Sequence, residues 1–216
     1  ARQQSFAALQ GSASCDVAVV GGGLAGLAAA LAAGKRGERV ILADEDVVLG
    51  GAPFAGGEMV EGLPVADWIA GATAKLSGMD NVRMLTRTTV AGAYDHGFAV
   101  LVERTERADL RCRLWKVRAK RLILATGAIE RPLVFPGNDR PGVMMASAAL
   151  GYVTRYAAAS GRRLAIVTNN DGAYRPAASL HDSGVAIAAV LDTRNDVDPA
   201  GLRPQAVDEE TTGLHA

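Results

Sequence analysis

Apolar residues near the start of the chain change period twice. Asp16-Val17-Ala18-Val19-Val20 is a short β-branched run that stops at glycine, as a strand buried in a parallel sheet does. Leu27 to Ala33 is small and apolar at helical density, and closes at Lys35-Arg36-Gly37. A glycine can take the left-handed cap there, and basic residues suit a helix C-terminus. Arg39-Val40-Ile41-Leu42-Ala43 repeats the strand pattern and stops at Asp44-Glu45. Together these predict a βαβ unit.

Further along, Val65, Ile69, Ala72 and Leu76 mark an amphipathic helix over Val65 to Leu76, with Trp68 as packing, and Val82 to Leu85 reads as a third parallel strand. Thr88 to Tyr94, Phe98 to Arg104 and Leu110 to Val117 are β-rich runs separated by turn residues, a β-meander whose wet face carries Arg111, Arg113, Lys116 and Arg118. Arg121-Leu122-Ile123-Leu124-Ala125-Thr126-Gly127 reads as a buried strand returning to the parallel sheet. Leu164 to Thr168, Asp171 to Ser183 and Val185 to Leu191 then repeat strand, helix and strand, with Gly184 closing the helix. Asn195 to Ala216 shows no period. The expected fold is α/β: a Rossmann-like FAD/NAD(P)-binding domain with a parallel sheet and β-meander over residues 1–159, an incomplete second βαβ unit over 160–194, and a poorly packed or truncated end over 195–216.

The chemistry concentrates at the first turn, where Gly21-Gly22-Gly23-Leu24-Ala25-Gly26 satisfies G-x-G-x-x-G between a strand and a helix. Gly21 serves the tight turn, Gly23 the approach of a pyrophosphate, and Gly26 close packing of helix on strand. Leu24 and Ala25 lie in the first helical turn, whose free N–H groups and dipole favour an anion. Asp44 follows Gly26 by 18 residues, close to the roughly 20 expected for the carboxylate that binds the adenosine ribose. An acid there repels a 2′-phosphate and disfavours NADP; Glu45 is the neighbouring candidate. Gly50-Gly51 and Gly56-Gly57 bracket Ala52-Pro53-Phe54, a loop that either lies over the cofactor, with Gly51 in contact, or is an ordinary connection. Thr126 and Gly127 end the returning strand with side chains small enough to lie against a dinucleotide. In the second unit the turn Thr168-Asn169-Asn170-Asp171-Gly172-Ala173 holds one glycine, too few for a working nucleotide site, and Pro176 predicts a late helix start unless it falls in the first turn.

Composition narrows the classes. Of 216 residues, 23 are Lys or Arg and 23 Asp or Glu, and 49% are hydrophobic, which excludes a disordered or collagen-like chain and disfavours nucleic-acid binding. Cys15 and Cys112 suffice for neither a disulfide framework nor a zinc site, and are read as reduced thiols of a cytoplasmic protein. A free-standing disulfide reductase needs a cysteine pair near Gly50-Gly51, where none stands. The polar opening Ala1 to Ser14 lacks the layout of a signal peptide. Val17 to Gly34 is uncharged but too rich in Ala and Gly to read as a membrane span. His96, His181 and His215 have no catalytic partner nearby, so no catalytic residue and no metal ligand is assigned.

Leu114 to Leu150, LWKVRAKRLILATGAIERPLVFPGNDRPGVMMASAAL, strongly resembles the α subunits of heterotetrameric bacterial sarcosine oxidase, and more distantly the α subunits of opine oxidases, amino-acid dehydrogenase complexes and hydrogen cyanide synthase. Cys15 to Ala33, Val40 to Gly51 and Gly161 to Asp171 agree with that resemblance. It implies an internal piece of a longer polypeptide, partners that include the β subunit of the complex with its other subunits, and a small amine such as sarcosine as the substrate of the complex. It further implies NAD on Gly21, Gly23, Gly26 and Asp44, with Thr126 and Gly127 lining the site. FAD is the alternative cofactor, although the late Gly-Asp element of FAD-binding relatives is not found in Pro199 to Ala216.

Overall fold

The structure is a computed structural model that describes residues 8–51, 59–107 and 109–194. The expectations for the loop around Ala52-Pro53-Phe54 with Gly56 and Gly57, and for Asn195 to Ala216, lie outside the described residues. The described residues fall into two compact units, the first over 8–51, 59–107 and 109–128, the second over 129–194.

Unit 1 is built on a six-stranded sheet. Strands β1 (Ala8–Val20), β2 (Val40–Ala43) and β5 (Val82–Leu85) are joined by helices α1 (Leu24–Lys35) and α2 (Val65–Ser77), with a two-residue pair β3 (Met59–Val60) and β4 (Leu63–Pro64) ahead of α2. Strands β6 (Thr88–Tyr94), β7 (Phe98–Arg104) and β8 (Cys112–Leu124) follow, and the order across the sheet is β5-β2-β1-β8-β7-β6. The first four are parallel and the last three antiparallel, so the βαβ unit and the meander share one sheet.

Alternation along β1 sends Val17 and Val19 to one face and Ala18 to the other. The first pair packs with Leu27, Ala30, Ala33, Trp68, Ala72 and Leu76 of the two helices. Ala18 packs with Ile41, Ala43 and the meander residues Ala99, Leu101 and Val117. Leu27, Leu42 and Leu76 are fully buried, and burial of each contributes about 2 kcal/mol. Trp68 is core, as expected, and its indole N–H donates to Glu61 at 3.0 Å.

Three expectations for unit 1 need correction. The first strand is longer than the run from Asp16 to Val20 predicts: β1 begins at Ala8 and pairs with β8 from Ala8↔Cys112 to Val20↔Leu124. Backbone pairing there does not require apolar side chains on both faces. The third meander run and the returning strand are a single strand, β8, antiparallel to β7 at one end and parallel to β1 throughout. Its last residues are also not buried, with Ile123 36% and Leu124 67% exposed. Pairing with β7 stops at Phe98↔Arg118, so beyond that point β8 is an edge.

Unit 2 contains α3 (Ala146–Tyr156), β9 (Arg163–Thr168), a single 3-10 turn (Asp171–Ala173), α4 (Tyr174–Asp182) and β10 (Ala186–Asp192). The two strands pair in parallel, with Thr168 opposite Asp192. Helix α3, which the apolar pattern does not predict, packs Ala149 and Leu150 against Ala177 and Leu180 of α4 and Ile166 and Val190 of the strands. Helix α3 thus lies in the second compact unit, which takes up the chain from Ile129. Glu130 fixes the start of α3, accepting from the N–H of Ser147 at 3.1 Å and from its hydroxyl at 2.8 Å. Helix α4 starts at Tyr174, so Pro176 stands in the first turn, where its missing N–H costs nothing.

Asp192 has a side chain only 8% exposed. Its pKa is held down at about 2, chiefly by the Arg194 side chain and then by the backbone N–H of Arg194 and the Tyr174 hydroxyl, against the opposing effect of burial. A depressed folded-state pKa contributes stability that is full above the unfolded value near 4 and is lost as pH falls toward 2. Unfolding free energy between pH 4 and pH 2 is expected to fall by on the order of 1–2 kcal/mol more in the unaltered protein than in Asp192→Asn. Urea melts of both proteins at several pH values measure this difference, and equal acid sensitivity would refute it.

Candidate nucleotide site

The carboxyl ends of β1, β2 and β8 are level, Val20 lying opposite Ala43 on one side and Leu124 on the other. The glycine turn, Asp44 and Ala125 therefore leave the sheet side by side. Gly21 N–H donates to the Ala43 carbonyl and Ala125 N–H to the Val20 carbonyl, both at 2.8 Å.

Sterics explain most of the glycines. Gly21 has φ +99°, and a β-carbon there would run into the Ala125 carbonyl oxygen. A β-carbon on Gly26 would run into the Gly21 carbonyl oxygen, so α1 rests on the turn backbone to backbone. One on Gly22 would overlap the Leu49 side chain and lie 3.1 Å from Asp44 Oδ2.

Gly23 is different. Its φ of −71° suits any residue, and the nearest protein atom to a β-carbon would be Gly51 Cα, at 3.8 Å. Among the described residues no atom requires a glycine at this position. It is the N-cap of α1, with no side-chain cap and no acid in the first turn. The parallel bridge between Gly23 and Gly50 turns the Leu24 N–H toward the Gly50 carbonyl, while the Ala25 N–H meets no acceptor among the described residues, as the start of a helix allows. An uncapped donor beside a space that a β-carbon would fill is what a pyrophosphate needs.

Asp44 faces the same turn. Its Oδ2 accepts the Gly22 N–H at 2.5 Å and its Oδ1 the Asp46 N–H at 2.8 Å, leaving each oxygen a lone pair for a ligand hydroxyl. The following segment is tied to the sheet, with Asp44 N–H donating to Leu85 O at 2.9 Å and Thr88 N–H to Asp44 O at 2.7 Å. Glu45 is not brought to the turn: its side chain is exposed and its carbonyl receives Arg104 Nη2 at 3.0 Å.

Gly51 is brought in. Gly50 N–H donates to the Gly22 carbonyl at 2.8 Å, and a β-carbon on Gly51 would lie 3.1 Å from Gly23 Cα, so the second glycine pair lies flat on the first. Thr126 and Gly127 follow Ala125 and are exposed, with open space around Gly127. The motif could not reveal Gly22, Leu49, Gly50 or Ala125, which shape the turn from positions it leaves free. Cys15 lies opposite Ala119 and Cys112 opposite Ala8, far apart along the same strand pair; burial pushes the Cys15 thiol up. No group of three or more metal-ligating side chains occurs among the described residues.

Residues 15–193 match the pyridine nucleotide-disulphide oxidoreductase family. The sarcosine oxidase α subunit of Rhizobium meliloti is 46% identical over 189 residues, covering 84% of this chain and 19% of that protein. An opine oxidase subunit of Agrobacterium tumefaciens is 31% identical, covering 82% of this chain and 37% of its own length. The crystal structure of L-proline dehydrogenase from P. horikoshii superposes with a TM-score of 0.69 at 26% identity, over 91% of this chain and 39% of that one. The chain thus spans about a fifth of the sarcosine oxidase subunit it matches. With its two cysteines so far apart, it shares the family's dinucleotide-binding fold without a paired-thiol centre among the described residues. The chain belongs to the pyridine nucleotide-disulphide oxidoreductase family, and sarcosine oxidase α subunits are among its homologues.

Proposed function

We propose that unit 1 holds an adenine dinucleotide for the α subunit of a sarcosine oxidase-type complex, which oxidises a small amine in the cytoplasm with the help of its β and other subunits. The observation that carries this is Gly23, where a β-carbon would come no nearer than 3.8 Å to any described residue, beside the first turn of α1, which no side chain caps. The pyrophosphate lies on Gly23 and the first turn of α1 at Leu24 and Ala25. Gly21 and Gly26 shape the turn, and Gly51 backs it. The adenosine ribose gives its hydroxyls to Asp44, whose charge repels a 2′-phosphate. Thr126 and Gly127 border the cofactor, and Glu45 stays outside.

FAD is the cofactor that the family and its solved oxidoreductase relatives favour. NAD is the second reading, supported by the homology with sarcosine oxidase α subunits. Either group, when bound, supplies hydride-transfer chemistry that the protein does not have. The residues named here bind and orient, and none is assigned as an acid or base. Among the described residues no helix is long and apolar enough to cross a membrane.

The absorbance spectrum of the purified protein, before and after denaturation, decides the cofactor. A released flavin spectrum supports FAD, and adenine absorbance without flavin, at about one equivalent, supports NAD. A protein that neither carries nor takes up either dinucleotide overturns the proposal.

A further inference from the structure

The end of β10 in unit 2 repeats the arrangement at the end of β2 in unit 1, with the opposite result. Asp192 is level with Thr168, the last residue of β9 before the turn into α4. Asp44 keeps two lone pairs, but Asp192 keeps none. Its Oδ1 accepts the Arg194 backbone N–H and Nε, each at 3.0 Å, and its Oδ2 accepts the Tyr174 hydroxyl at 3.0 Å and Arg194 Nη2 at 2.7 Å. Four bonds fill the roughly four acceptor sites of a carboxylate.

Donors in the adjoining turn are consumed in the same way. Asn170 N–H donates to the buried Thr168 hydroxyl at 3.1 Å, and Gly172 N–H to Asn170 Oδ1 at 2.8 Å. A phosphate approaching this helix start would also meet the carboxylate of Asp171, which is paired with Arg194 Nη2 at 2.6 Å. Unit 1 has no acid at the corresponding position.

We infer that Arg194 is an internal clamp that closes the strand-end crevice of unit 2, joining Asp192 at the end of β10 to Asp171 at the turn after β9 in place of a nucleotide. One guanidinium bridges two carboxylates and leaves neither a ribose-binding acid nor a phosphate-binding turn open. Unit 2 is therefore a βαβ element that holds itself together without a ligand.

Hydrogen exchange on the whole chain tests the clamp, comparing the unaltered protein with Arg194→Ala and Arg194→Lys. In Arg194→Ala, peptides spanning 168–175 and 186–193 should exchange roughly ten-fold faster while those of unit 1 stay unchanged. Lysine, with one donor group and no fork, should restore only part of the protection. Unaltered exchange in Arg194→Ala overturns the clamp. Equilibrium dialysis with labelled NAD, NADP and ADP on a Gly23→Val background, where the unit 1 turn is blocked, tests the closure. No binding supports it, and binding that disappears in Asp192→Asn overturns it. Failure of the unaltered protein to bind any dinucleotide would overturn the reading of unit 1, and the exchange result would still decide the clamp.

Discussion

Gly26→Ala is expected to lose about 3 kcal/mol of stability and to bind dinucleotide at least roughly thirty-fold more weakly. The added carbon meets the Gly21 carbonyl oxygen and comes within 2.9 Å of its carbon. Neither atom belongs to a side chain that could rotate away, so α1 must lift off the turn and the N–H groups of its first turn move with it. Gly71→Ala, in the middle of α2 with nothing within 4 Å of the new carbon, is the control and should gain about 0.5–1 kcal/mol. Thermal melts with a binding titration measure both. A Gly26→Ala protein as stable as the parent would show that α1 does not rest on the turn.

Gly23→Ala should separate folding from binding. Its φ is ordinary and its surroundings among the described residues are open, so the variant should melt within about 2 °C of the parent. The new methyl group nevertheless occupies the space assigned to the pyrophosphate, and affinity should fall on the order of a hundred-fold. Isothermal titration of the two proteins gives the comparison. Unchanged affinity would place the phosphates elsewhere, and a large loss of stability would mean that the open space is filled by protein.

The motif gives these two glycines different tasks, and the atoms around each differ in the same sense: Gly26 sits on the Gly21 carbonyl, while Gly23 faces open space among the described residues. The strand, turn and helix around Gly21 to Gly26 were legible because each signal is local: β-branched residues, then glycines, then small apolar residues. So were β5, β6, β7 and the helix over Val65 to Leu76, whose periods are regular. The first half of β1 was hidden by its polar residues, because a ladder of backbone bonds leaves no mark in side-chain pattern. Merging two runs into β8 was equally invisible, since Ala119 and Lys120 look like a break and are held extended by β1 alone. Helix α3 was obscured by Ala, Ser and Gly, which carry little hydrophobic contrast. At the site, Asp44 was preferred to Glu45 on spacing, and it is the one that turns toward the glycines because its own backbone N–H and C=O are tied to Leu85 and Thr88.

The long pairing of β1 with β8 sets the order in which unit 1 can form. Val20 and Leu124 are partners 104 residues apart, and closing so long a loop must precede the reward of the contacts it brings. During synthesis β1 can find β2 early, but its other edge, with unpaired N–H and C=O groups, waits until β8 has left the ribosome. Folding of this unit should therefore be slow, and the waiting edge is where a nascent or unfolded chain is most exposed to aggregation.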